Sequence, residues 1–131
     1  MKNTDGIETA IETISEKYSH LTEECKNDFK KASKLVRLDK SSVLVKEGQF
    51  ADKLYFIVSG CVRAFYNKDG KEITDWFAFD GDFISSRNSF YQNALSHCTI
   101  ELLEPTTFLE IPREATEILI DQHHCFERLG R

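Results

Sequence analysis

Between Gly81 and Cys98 the chain places one carboxylate (Asp82), three hydroxyls (Ser85, Ser86, Ser89), one guanidinium (Arg87) and the trio Ser96, His97 and Cys98. Hydroxyls and a cation near the start of a predicted short helix suit an anion or a hydroxylated small molecule. Helix N-terminal N–H groups and a bidentate arginine both satisfy negative oxygen. Asp82 could accept from a ligand hydroxyl, or cap the turn. Arg87 could reach a bound anion, or stand exposed on the helix. His97 could donate one hydrogen bond to a ligand, or sit at a strand edge. Phe83, Phe90 and Tyr91 read as core rather than as a stacking platform.

Other chemistries find less support. His123, His124 and Cys125 resemble a metal tract, but neighbours on a helix point about 100° apart, so the run reads as a solvated helix end. A cupin-type metal site needs an H-x-H with a glutamate and a further histidine, and His97 stands alone on its strand. An iron–sulfur sensor needs a cysteine cluster near the N-terminus, where only Cys25 is found. No Ser-His-Asp or Cys-His spacing points to nucleophilic catalysis, so no enzyme activity is expected.

The 131 residues fit one domain. The net charge of −5 argues against a free-standing nucleic-acid binder, which needs a basic face. The lysines of KNDFKKASKLVRLDK are interrupted by acidic residues and read as a solvated helix end and turn. No apolar run reaches the about 18 residues of a membrane span, and MKNTDGIETAIE has no hydrophobic leader core. Four scattered cysteines without a C-x-x-C then imply reduced thiols in a cytoplasm.

Ile7, Ala10, Ile11, Ile14 and Tyr18 form one helical stripe, with Thr4 or Asp5 as its cap. Thr22 is the expected N-cap of a second helix. Glu23 and Glu24 lie in its first turn, and Cys25 and Phe29 face inward. From Ser33 onward, short apolar runs punctuated by Gly48, Gly60, Gly70 and Gly81 predict an all-β roll or sandwich. Asn67-Lys68-Asp69-Gly70 is the strongest hairpin signal, because Asp-Gly tolerates positive φ. The run LYFIVSG scarcely alternates, as a strand covered on both faces would read. Pro112 stands near the first position of a closing helix.

The segment from Gly48 to Ser86 resembles the effector domain of Crp/Fnr-type bacterial transcription regulators. The match is carried by Gly48, Leu54-Tyr55-Phe56-Ile57-Val58-x-Gly60-x-Val62, the turn Asp69-Gly70-Lys71-Glu72, and Gly81-Asp82-Phe83-Ile84. The resemblance implies a mainly β chain: an antiparallel β-roll (jelly roll) with N-terminal helices and the start of a C-terminal dimerisation helix. Residues 1–33 would be the helical lead-in, 34–112 the roll and 113–131 the beginning of that helix. It also implies a bacterial sensory domain. A helix-turn-helix beyond Arg131 would read DNA, and the full-length protein would be a homodimer.

In this family a Gly-Glu pair opens a phosphate-binding cassette. An Arg, a Ser or Thr and a small residue close it before the next strand, and that Arg pairs with the cyclic phosphate. Here Gly81-Asp82 stands at the opening and Ser96-His97-Cys98 where the closing trio belongs, so the phosphate arginine is missing. Losing a charged hydrogen bond costs roughly 1.5–3 kcal/mol, about one to two decades in affinity. The expectation is therefore a diverged cassette that does not bind cyclic AMP in the usual way. The candidate ligand residues are Asp82, Phe83, Ser85, Ser86, Arg87, Ser96, His97 and Cys98. The effector would be a cyclic nucleotide or another small metabolite, with no metal and no certain cofactor. A stand-alone interaction module without an effector, or a cupin-type metalloenzyme, are the alternatives.

Overall fold

Ile7, Ala10, Ile11 and Ile14 line the buried face of helix α1 (Lys2–Lys17), as their spacing demands. The computed structural model describes residues 2–18, 20–50, 52–84 and 95–127. Helix α1 begins at Lys2, so neither Thr4 nor Asp5 stands ahead of it as a cap. Helix α2 (Glu23–Ala32) is capped as expected: Thr22 Oγ1 accepts from the Cys25 amide at 3.1 Å. Cys25 and Phe29 are fully buried.

Eight strands follow: β1 (Lys34–Leu38), β2 (Val43–Val45), β3 (Lys53–Ser59), β4 (Cys61–Lys68), β5 (Lys71–Phe79), β6 (Phe83–Ile84), β7 (Thr99–Leu102) and β8 (Thr106–Pro112). They pair antiparallel in two four-stranded sheets, ordered β1-β8-β3-β6 and β2-β7-β4-β5. The mainly β, antiparallel roll is thus the observed fold. Both sheets and α1 and α2 contribute to one core, in which Phe29, Phe56 and Phe108 are the largest fully buried side chains.

Strand β3 explains its own lack of alternation. Leu54, Tyr55, Phe56 and Ile57 are all buried, because helix α3 (Arg113–Gln122) packs on β3 and β8 from outside the roll. The β4–β5 hairpin closes at Lys68↔Lys71 with Asp69 at φ 52° and Gly70 at φ 79°. Two successive positive φ values are what a two-residue primed turn requires.

Pro112 is the N-cap of α3, next to the helix's first position as expected. The C-terminal region departs from expectation at two later points. The helix then breaks at His123 and resumes as α4 (His124–Glu127), so residues 113–127 are not one continuous helix. His123 is not a solvated helix end. It is 7% exposed, and its Nε2 lies 2.8 Å from Asp28 Oδ2. That contact ties the end of α3 to α2. The Cys25 thiol donates a hydrogen bond to the Cys125 sulfur at the same junction; burial, then that hydrogen bond and the charges of Cys125 and Asp28, push the Cys25 thiol up to about 12. Periodicity cannot reveal such a contact, since its partners are 95 residues apart.

His123→Ala leaves Asp28 without its buried partner and is expected to lower unfolding stability by about 1–3 kcal/mol. His124→Ala, at the exposed neighbour, should stay within about 0.5 kcal/mol of the parent. Urea midpoints of the two variants check this, and equal midpoints would remove the contact's claimed role.

Candidate functional site

The opening of the cassette is a tight turn. Gly81 N donates to Ile57 O at 2.7 Å, Asp82 N to Phe79 O at 3.0 Å, and Ile57 N to Asp82 O at 2.9 Å. Asp82 Oδ2 accepts from Phe79 N at 2.8 Å, so the carboxylate pins the backbone of its own turn. Lys17 Nζ donates to Gly81 O at 2.8 Å and lies 3.6 Å from Asp82 Oδ1, while Tyr18 OH donates to the same Gly81 carbonyl. The end of α1 is thereby fastened to the cassette entrance. Tyr18, on the predicted apolar stripe, is 40% exposed and serves this polar contact instead. Phe83 packs between Tyr18 and Phe56, with ring centroids 5.2 and 5.1 Å away. This is the core role that its type suggested.

Ser85, Ser86, Arg87, Ser89, Phe90 and Tyr91 lie outside the described residues. The chain re-enters at Leu95, which bridges Phe50. Ser96 is 3% exposed. Its amide donates to Gln49 O at 2.6 Å and its carbonyl accepts from Gly48 N at 2.9 Å. Its hydroxyl donates to Cys98 O at 2.6 Å and accepts from Cys98 N at 3.3 Å. The hydroxyl is therefore spent on shaping the bend ahead of β7.

His97 lies on that bend, exposed, with its ring 4.9 Å from that of Tyr66. Cys98 is buried, and its thiol donates to Asp75 Oδ2 at 3.5 Å. Asp75 reaches it because β5 carries an extra residue: Phe65 pairs with Thr74 and Ala64 with Trp76, leaving Asp75 unpaired. Such a bulge bends the strand and re-aims a side chain. Burial pushes the Cys98 thiol up to about 11, and the carboxylates of Asp75 and Glu47 add to the effect. Glu47 is itself held, accepting from Asn67 N at 3.1 Å and donating its amide to Thr99 Oγ1 at 2.9 Å. His97 is consequently not isolated, as its strand alone suggested. One ligand-capable atom each of Asp75, His97 and Cys98 falls within 4.8 Å of the others.

The structure brings Ser96, His97 and Cys98 together with Asp75, Tyr66 and Glu47, while Asp82 and Phe83 are engaged with α1 and β3. Sequence reasoning missed Asp75. Its only signal was a carboxylate inside the apolar run ITDWFAF, and nothing linear showed where it would point. A groove of about 400 Å³ also opens between α1 and α2. Its lysines are neutralised by the pairs Lys26–Glu12, at 3.0 Å, and Lys30–Glu8. Its three carboxylates outnumber its two lysines, so it offers no spare cation to an anionic ligand.

Comparison with known proteins places this geometry. The regulatory domain of Toxoplasma gondii PKA, solved with cAMP, superposes with a TM-score of 0.74 at 20% identity, over 88% of this chain and 44% of that one. The catabolite activator protein of Thermus thermophilus gives 0.70 at 20% identity, over 84% and 50%. The sensor domain of the transcriptional regulator DNR from Pseudomonas aeruginosa gives 0.68 at 18% identity, over 78% and 71%. The chain spans less than half of the first of these and half of the second. No curated protein matches the sequence. At such identities the likeness is one of fold, and a family model decides membership. The model of the cyclic nucleotide-binding domain matches residues 35–123, which takes in both sheets and α3, so the chain belongs to the cyclic nucleotide-binding domain family.

Proposed function

We propose that this chain is the sensory domain of a Crp/Fnr-type transcription regulator whose cassette does not hold a cyclic phosphate in the family's usual way. The fold it shares with a catabolite activator protein and with the sensor domain of a transcriptional regulator supports the first half. The second half rests on the residues ahead of β7. Where the family's arginine would stand, this chain has a buried serine committed to Cys98. The charges that act on the adjoining Cys98 are the carboxylates of Asp75 and Glu47. A desolvated phosphodiester needs a cationic partner, and these groups repel it. A fold hosts many ligands, so the site must decide the effector.

The effector would be a small metabolite seated between Asp82 and Cys98. The signal would pass to α3, whose start is held by Arg113 N donating to Asp52 O at 2.9 Å and whose end is held by His123. An occupant that prefers one position of α3 would shift its population, and so re-pose a dimer helix and a DNA-reading region beyond Arg131. The family's domain is typically regulatory, which supports a sensory role over a catalytic one. No described helix is long and apolar enough to cross a membrane.

Calorimetric titration with cyclic AMP is expected to give no saturable heat at micromolar concentration. Saturation in the low-micromolar range would overturn the proposed divergence.

A further inference from the structure

We infer that Asp75, His97 and Cys98 form a binding site for a borderline-soft divalent cation of the zinc(II) class. The three residues come from two strands that are not neighbours: Asp75 from the bulge of β5, and His97 and Cys98 from the bend before β7. Strand β4 lies between those strands. Along β4, Val62 and Ala64 are buried in the core and Tyr66 follows on the same face. The Tyr66 ring lies against His97, so the imidazole rests on a fixed surface beside the thiol.

The donor set is one sulfur, one imidazole nitrogen and one carboxylate oxygen. Thiolate and imidazole select zinc-like ions over magnesium or calcium, which take oxygen ligands. Zinc binds sulfur at about 2.3 Å and nitrogen or oxygen at about 2.0–2.2 Å. Donor atoms on such a tetrahedron lie about 3.5 Å apart. Cys98 Sγ and Asp75 Oδ2 already stand at that separation, 3.5 Å, and the whole trio lies within 4.8 Å. Closing the remainder takes about an ångström of movement by His97, which is exposed on a bend and reaches a neighbouring position by a rotamer change.

Charge favours the ion. A thiolate and a carboxylate together neutralise a divalent cation, and Glu47 lies near enough to act on Cys98. On binding, the cation displaces the thiol proton to solvent. Three protein donors leave a fourth position open for water or for a ligand atom. The site shares His97 and Cys98 with the proposed effector cassette, but the inference itself needs neither an effector nor a partner.

The test uses metal-free protein and cobalt(II), with zinc(II) competition against a chromophoric chelator. One equivalent of cobalt is expected to give a thiolate-to-metal charge-transfer band in the near ultraviolet, displaced by zinc. Cys98→Ala should abolish the band, and Cys25→Ala and Cys125→Ala should retain it. His97→Ala, at an exposed position that the fold tolerates, should weaken zinc binding at least tenfold; even residues behind metal ligands cost about 10–100-fold. Circular dichroism confirms that each variant is folded. No thiolate band in the parent protein, a band that survives Cys98→Ala, or His97→Ala binding as tightly as the parent would each overturn the assignment.

Discussion

Phe56→Ala is expected to lower the unfolding free energy by about 3–5 kcal/mol, the range for deleting a large aromatic side chain from a packed core. Phe56 is 1% exposed on β3, between β8 and β6. Its backbone pairs with Leu109 on one side and Phe83 on the other. Its ring also meets that of Phe83, which in turn meets Tyr18 at the end of α1. One residue therefore joins the core to the strand that leads into the cassette. The cavity left by the ring cannot be filled without moving β6, so the loss should approach the upper part of the range. Phe83→Ala, at a half-buried ring, should cost less. Denaturant unfolding of both variants, with unchanged dependence on denaturant concentration, checks the order. A smaller loss for Phe56→Ala than for Phe83→Ala would contradict the layered packing described above.

Gly60→Ala is expected to cost roughly 2–5 kcal/mol, from backbone strain and overpacking together. Gly60 connects β3 to β4 at φ 138°, a conformation that side-chain-bearing residues rarely adopt. A Cβ there would also fall 2.7 Å from Cβ and Cγ2 of Thr106. Thr106 cannot retreat easily. It is fully buried, and its hydroxyl donates to Glu104 O at 2.9 Å and accepts from Cys61 N at 3.4 Å. The Gly60 amide is held as well, donating to Asp80 Oδ1 at 2.7 Å. The two costs separate in part in a double-mutant cycle with Thr106→Ala. That change removes Oγ1 and Cγ2 but keeps the Cβ at 2.7 Å, so it should ease the collision without ending it and leave the strain of positive φ, and the paired variant loses less than the sum of the singles. Strict additivity would show that the collision is absent.

These residues also mark how far the sequence could be read. The helical stripe Ile7–Ile14, the Thr22 cap and the Asp69-Gly70 turn depend on neighbours within a few residues, and each appeared where the local pattern put it. The unbroken run Leu54–Ile57 implied cover on both faces, and α3 on the outer side of β3 is that cover. His123 was misread for the opposite reason. It follows a helix among polar residues, yet the chain folds back so that Asp28 of α2 meets it. Ser96 looked like an available hydroxyl until the bend before β7 turned it inward to Cys98.

From the chain alone came the roll, its entering helices, its hairpin and the missing guanidinium ahead of β7, because these are matters of residue type and short-range order. The convergence of Asp75 on Cys98 and His97 was decided only in three dimensions. One extra residue in β5 reverses where a side chain points, and a period-2 pattern carries no mark of which strand will bulge. Side-chain chemistry is written residue by residue, whereas proximity across a sheet is set by the pairing register of strands far apart in sequence.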